Sequence, residues 1–319
     1  MTVLVTGGLG YIGSHIVRTL QSAGDAVVIV DDGSNGIGRR LADTPVISLD
    51  LADPSSTDIL AQAMRELDIA SVIHLAAKKQ VAESVERPLW YYSQNLGSLE
   101  TVIGAMVEAD VQELIFSSSA AVYGIPAGRL VKETAPVHPL NPYGRTKLAG
   151  EWLCADAAVA HGLTVISLRY FNVAGAGWLD LADRGASNLI PMVFDRIVEG
   201  LAPIIFGDDY PTVDGTCIRD FVHVSDIAEA HVAALRALRG RPSGHASYNI
   251  GSGKGTSVLE VVELIADVSG LWLGTEVRSR RAGDPPVVVA DVERAARELG
   301  WSSRLGVAEA VRSAWSARA

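Results

Sequence analysis

Tyr143 and Lys147 stand four residues apart in the run Asn141-Pro142-Tyr143-Gly144-Arg145-Thr146-Lys147. Asn is a favoured helix cap and Pro fits the first helical turn, so the run predicts a helix start. The i, i+4 spacing then puts phenol and ammonium on one face. A nearby ammonium favours the phenolate and lowers a Tyr pKa from about 10 toward the working range. A tyrosine so tuned is a general base toward a hydroxyl and a general acid on the return step. Ser119, the last of Ser117-Ser118-Ser119, adds a hydroxyl able to share that proton or to hydrogen-bond a developing carbonyl.

A second constellation lies at the N-terminus. The apolar triplet Val3-Leu4-Val5 runs into Thr6-Gly7-Gly8-Leu9-Gly10-Tyr11-Ile12-Gly13, which opens a helical stretch. Glycines at 7, 10 and 13 permit a tight turn, close approach of backbone N–H groups to a diphosphate, and close helix–strand packing. The helix N-terminus adds about half a positive charge there. Asp31, eighteen residues past Gly13, ends the next apolar run, where a carboxylate accepts hydrogen bonds from adenosine ribose hydroxyls. It would repel a 2′-phosphate, so the expected cofactor is NAD rather than NADP. A nearby oxidised nicotinamide would lower the Tyr143 pKa further, and Lys147 can also hold a ribose hydroxyl. Asp50, after the third apolar run, is within reach of the adenine amino group on this reading, or else a turn residue.

These groups need a scaffold that carries them to one edge. Short apolar runs at 3–5, 26–30, 46–49, 72–75, 114–117 and 164–168 alternate with helical-period stretches near 54–67, 90–109 and 142–161. Near-continuous apolar strands between helices predict a parallel sheet covered on both faces, a doubly wound, Rossmann-type α/β fold. After about residue 175 the rhythm breaks into a segment rich in Gly, Pro and Asp. Helical patterns return at 226–238, 258–269 and 292–299, with a short extended run at 247–250. The expected division is a dinucleotide-binding domain, 1–174, and a smaller α/β substrate lobe, 175–319. Parts of 220–250 are expected to return to the first domain.

The chain has 319 residues, 48% of them apolar, with a net charge of −10, which disfavours nucleic acid and anionic membranes as partners. Its first basic residue is Arg18, and no apolar run approaches the ~18 residues of a membrane span. Cys154 and Cys217 lack metal-ligand spacing, so no metal is expected and the expected compartment is the cytoplasm.

Taken together, these residues resemble the extended short-chain dehydrogenase/reductase family and, within it, the UDP-galactose 4-epimerases. The likeness runs over essentially the whole chain: residues 6–15, Glu83-Ser84-Val85, Tyr91-Tyr92 with Asn95, and residues 117–124 and 142–148. It continues through Leu168-Arg169-Tyr170-Phe171-Asn172, residues 206–226 and Arg281 with Gly283-Asp284. The resemblance implies that Gly7, Gly10, Tyr11, Ile12, Asp31, Asp32, Asn35, Asp50, Leu51, Lys79, Asn95, Ser119, Tyr143, Lys147 and Tyr170 contact NAD. It implies that Asn172, Asn188, Leu189, Arg219, Arg281 and Asp284 hold a UDP-sugar, UDP-glucose or UDP-galactose, with Phe206 near the uracil. Ser119 and Tyr143 would meet the sugar. Two arginines from separate segments suit a diphosphate clamp, which an acidic protein needs.

Where the chain departs from the family, the adjacent Lys78 and Lys79 leave open which meets the pyrophosphate, with Lys79 preferred. The resemblance aligns Val288 with a position whose bulk, in the family, limits larger sugars, so valine there implies room for UDP-N-acetylhexosamines. The expected reaction is reversible inversion at C4 through a transient 4-keto sugar. The nearest rival, a 4,6-dehydratase, places an Asp-Glu pair where this chain has Ala120-Ala121. A non-catalytic NAD-binding sensor would lack the Tyr or Lys. A homodimer through the helices near 90–109 and 142–161 is expected by analogy.

Overall fold

The computed structural model describes residues 1–36, 41, 43–185, 188–281 and 283–318. Along the first half run β1 (Thr2–Thr6), α1 (Tyr11–Ser22), β2 (Ala26–Asp31), β3 (Val46–Ser48), α2 (Ser56–Glu66), β4 (Ile69–His74), α3 (Val81–Glu86), α4 (Pro88–Glu108), β5 (Glu113–Ser119), α5 (Pro142–His161) and β6 (Thr164–Tyr170). There follow β7 (Asn172–Ala174), α6 (Leu189–Val198), β8 (Ile204–Phe206), β9 (Ile218–His223), α7 (Val224–Leu238) and β10 (Gly244–Ile250). The chain closes with β11 (Gly255–Ser257), α8 (Val258–Ser269), β12 (Glu276–Arg278), β13 (Val287–Val288), α9 (Glu293–Leu299) and α10 (Val307–Ser316).

Seven strands form a wholly parallel sheet in the order β10-β6-β5-β4-β1-β2-β3. This is the doubly wound arrangement expected from the apolar runs, with β10 joined to the far side of β6. Successive side chains of a strand leave on opposite faces. Val3, Val5, Ile29, Ile73, Ile115 and Ile166 therefore enter one core with Ile16 and Leu20 of α1 and Ile227 and Leu235 of α7. Leu4, Val28, Val72, Leu114, Phe116 and Val165 enter the other, with Leu60 of α2, Leu99 and Met106 of α4 and Ala157 of α5. Burial on both faces is why these strands carry near-continuous apolar runs rather than alternating.

Strand order reverses between β1 and β4, which opens a crevice at their carboxyl ends, the place where such sheets bind ligands. Over that edge lie a small sheet of β7, β9, β11 and β13 and the parallel pair β8–β12. A third core of Ile190, Phe194, Phe221, Val261 and Val311 knits α6, β9, α8 and α10 together. Of these, α6 and α10 and the strands of two or three residues have no counterpart in the sequence reading. Strands so short hold no countable period.

Candidate active site

The glycine turn sits at the crevice. Gly7 leaves β1 at φ +70, and a Cβ there would lie 2.8 Å from the Ala76 nitrogen. A Cβ on Gly13, inside α1, would stand 2.2 Å from the Gly7 carbonyl oxygen. Only glycine lets the turn and helix approach so closely. The first turn of α1 holds no acidic residue, so its N-terminal field is unopposed. Asp31 accepts from the Leu9 N–H at 3.0 Å and the Gly33 N–H at 2.9 Å, tying the turn to the end of β2. Burial pushes its carboxyl above the usual range, and these N–H bonds pull back against it. Asp32 is also partly buried, yet hydrogen bonds from Ser34 hold its carboxyl below the usual range.

A cavity of about 730 Å³ opens here, the size of a small-molecule or cofactor site. Gly7, Gly10, Tyr11, Ile12, Gly13, Asp31, Asp32, Asn35, Asp50, Leu51, Lys79, Tyr143, Lys147 and Tyr170 all line it. A glycine cradle beneath a helix N-terminus, with a carboxylate at the end of the second strand, fits the diphosphate and ribose of NAD. Asn95 is not in this lining. It accepts from the Lys78 N–H at 2.8 Å and donates to the Lys78 carbonyl and to Thr146 Oγ1, so its carboxamide fixes the loop after β4. The two lysines also part company. Lys78 donates to Ser34 and lies 3.7 Å from the Asp32 carboxylate. Among the described residues Lys79 has no ion-pair partner, and it lines this cavity and the next.

Helix α5 starts as its sequence directs. Asn141 accepts from the Gly144 N–H at 2.9 Å and Pro142 occupies the first turn. Tyr143 is half-buried in the wall of the cleft. Burial raises its phenol above the ordinary value, while a hydrogen bond from Ser119 lowers it. Lys147 is 4% exposed. It donates to the Ser117 carbonyl at 2.7 Å and lies over the Phe116 ring. Burial without a carboxylate partner pulls its pKa down to about 8. This differs from the sequence expectation, in which Lys147 acts directly on Tyr143. In the protein alone Ser119 offsets the burial cost of the phenolate, and Lys147 spends a donor on β5.

A second cavity, about 630 Å³, adjoins the first across Tyr11, Ile12, Lys79, Tyr143 and Tyr170. Ser119, Asn172, Asn188, Leu189, Arg219, Arg281, Asp284 and Val288 line it. Arg219 is aimed by the Pro285 carbonyl at 2.7 Å and lies 3.6 Å from Asp284. Asn188 donates to Asp183, a rim residue of both cavities. Phe206 is set back from this lining, and its ring carries the Arg281 guanidinium at 4.1 Å.

Sequence reasoning passed over a polar layer behind the site. Glu151, 3% exposed, receives Arg169 through two hydrogen bonds of 2.8 and 2.6 Å and a third from the Ser118 hydroxyl. Arg169 also donates to Tyr123, which donates to Asn249. The available signal was spacing, since 143, 147 and 151 continue one helical stripe. His231, against Tyr170, gave no local signal.

Comparison with known proteins accords with this geometry. The model of the NAD dependent epimerase/dehydratase family matches residues 3–251. A UDP-glucose 4-epimerase of Azospirillum brasilense is 45% identical over 303 residues, 94% of this chain and 86% of that protein. The UDP-glucose-4-epimerase of Stenotrophomonas maltophila, solved with NAD and formylated UDP-arabinopyranose, superposes with a TM-score of 0.94 at 41% identity, covering 100% of this chain and 98% of that one. The Bifidobacterium longum enzyme, solved with NAD+ and UDP, gives 0.91 at 36% identity, covering 100% and 98%.

Proposed function

The chain belongs to the NAD dependent epimerase/dehydratase family, and we propose that its cleft performs the reversible inversion at C4 that interconverts UDP-glucose and UDP-galactose. The carrying observation is that Tyr143 stands where the two cavities meet, with Ser119 on its phenol and Lys147 one helical turn behind. NAD, when bound, supplies the hydride acceptor and the positive charge of its oxidised ring. Gly7, Gly10, Tyr11, Ile12 and Gly13 would hold its diphosphate, with Asp31, Asp32, Asn35, Asp50 and Leu51 at the adenosine end. Lys79 is the cation available to the diphosphate, because Lys78 is engaged with Asp32 and Ser34.

Tyr143 takes the proton of the sugar 4-hydroxyl as C4 is oxidised, and Ser119 hydrogen-bonds the oxygen that becomes a carbonyl. Arg219 and Arg281 clamp the UDP diphosphate by charge-assisted bonds, and Asp284 takes the uridine ribose. Asn172, Asn188 and Leu189 border the sugar, and Phe206 backs Arg281. A firm grip on UDP with looser contacts at the hexose lets the 4-keto sugar turn over. Tyr143 then returns the proton to O4 as C4 takes the hydride back on its opposite face, which inverts the centre. Ala120 and Ala121, in the turn after β5, give a dehydratase no acid or base.

The decisive assay is purified protein with UDP-galactose and no added cofactor, scored for UDP-glucose. Formation of UDP-glucose supports the reading, and none over long incubation rejects it. Val288 on the second cavity favours UDP-N-acetylhexosamines as further substrates. No turnover of UDP-N-acetylgalactosamine would remove that reading alone. Helices α4 and α5 pack together and leave Leu89, Trp152 and Val159 exposed, which supports a homodimer through that face. Trp152→Glu should then sediment as a monomer. Among the described residues no helix is long and apolar enough to cross a membrane. The two free, buried cysteines are in keeping with a cytoplasmic enzyme.

A further inference from the structure

A second phenol, Tyr170, lines both cavities beside Tyr143. A tyrosine so placed is a rival acid for the same sugar oxygen, unless its proton is directed elsewhere. Its oxygen lies 2.7 Å from His231 Nε2 on α7. The other ring nitrogen, Nδ1, lies 2.8 Å from the Ile227 carbonyl one turn back. A carbonyl only accepts, so Nδ1 carries the hydrogen. His231 is fully buried, and that burial pulls its pKa down to about 4, so the ring is neutral. Its Nε2 is therefore a lone pair, and the Tyr170 hydroxyl must donate to it. Ser117 also hydrogen-bonds the Tyr170 hydroxyl. With the Tyr170 proton spent, Ser117 is the donor in that bond. The Ser117 carbonyl in turn receives Lys147. Donor direction thus runs from the Ser117 hydroxyl through Tyr170 to His231.

We infer that His231 is a positioning residue of the epimerisation: it holds the Tyr170 proton away from the cleft, so that Tyr170 meets the ligands as an acceptor only and Tyr143 alone exchanges a proton with the sugar oxygen. This rests on the reaction proposed above. A structural packing role would make the same contact, so the test must separate the two.

The kinetic test is a double-mutant cycle of His231→Leu and Tyr170→Phe, with UDP-galactose as substrate. His231→Leu is expected to lower kcat by about tenfold with KM little changed, the scale of one hydrogen bond. In the Tyr170→Phe background it should have no further effect. His231→Gln, whose amide oxygen can accept, should recover most of the loss. Equal loss in both backgrounds, or an unchanged kcat in the single variant, overturns the proposal. Independently of turnover, 15N imidazole shifts of the whole protein should show Nδ1 protonated and Nε2 bare, and the reverse tautomer overturns it. A wild type without epimerase activity would instead defeat the reaction itself, and the tautomer measurement would still stand.

Discussion

Replacing Lys147 by Met should stabilise or leave unchanged the ligand-free protein at neutral pH while it destroys activity. The ammonium is 4% exposed and its pKa is pulled from 10.5 to about 8 by burial, against a small opposing effect of Cys154. At roughly 1.36 kcal/mol per pK unit, that gap means the folded state carries about 3 kcal/mol of cost for holding the charge. The sign follows from proton counts. Below about pH 8 both states are protonated and the full cost stands. Between about 8 and 10.5 the folded state has released the proton and the unfolded chain has not, so wild-type stability rises with pH. Methionine removes this cost but leaves the Ser117 carbonyl without its 2.7 Å donor, a loss of about 1–3 kcal/mol. The variant should therefore be equal to, or up to about 2 kcal/mol more stable than, wild type at pH 7. It should fall behind by pH 10, where the neutral amine still donates. Urea midpoints of nucleotide-stripped wild type and Lys147→Met across pH 7–10 measure the gap directly, and groups common to both cancel. A gap that stays constant or widens in favour of methionine as pH rises would refute the reasoning. Turnover of the variant should fall at least about a hundredfold at every pH.

Three further outcomes follow from the cleft. Tyr143→Phe keeps the ring but not the proton, so kcat should drop by about 10²–10⁴-fold, with NAD still bound as read by absorbance of the released nucleotide. Gly13→Ala should abolish nucleotide retention and lower the Tm, because its methyl would stand 2.2 Å from the Gly7 carbonyl oxygen; a variant that purifies with full NAD would contradict the cradle. Lys79→Ala should weaken nucleotide retention more than Lys78→Ala, since Lys78 already has Asp32 and Ser34 as partners, and the opposite ranking in a nucleotide-release assay would reverse their roles.

The central sheet was legible because its chemistry is local. A strand buried on both faces is apolar over most of its length, and β1, β2, β4, β5 and β6 each announce themselves by such a run. The covering lobe was not legible, because its short strands are fixed by contacts far apart in the chain. Asp220 on β9, fully buried, accepts from the Ser252, Gly253 and Ala290 N–H groups and from the Ser252 hydroxyl, joining three segments at one carboxylate. No window of sequence around Asp220 carries that information. That Lys78 and not Lys79 is tied down was hidden for the same reason: the two are adjacent in the chain, and only the fold brings Asp32 to Lys78.

Within the site, what could be read was set by helical period and what could not was set by strand pleat. Tyr143, Lys147 and Glu151 form one stripe of α5, and each grips one of three consecutive serines of β5. Lys147 takes the Ser117 carbonyl, Ser118 donates to Glu151, and Ser119 bonds Tyr143. In a strand, Ser117 and Ser119 present their hydroxyls to one face and Ser118 to the other. The first two therefore meet the cleft phenols Tyr170 and Tyr143, while Ser118 turns to Glu151 and its Arg169 partner. A one-residue slip of β5 against α5 would exchange these faces, placing the Ser118 hydroxyl in the cleft and a cleft serine on the buried carboxylate. Glu151 and its Arg169 partner thus occupy the face of β5 turned away from the cleft phenols, and a serine of either register could satisfy them. Three serines in a row give the sequence no preference for which one faces the chemistry; the apolar half of β5 supplies it, Ile115 entering one core and Leu114 and Phe116 the other, which fixes the pleat of the serines that follow.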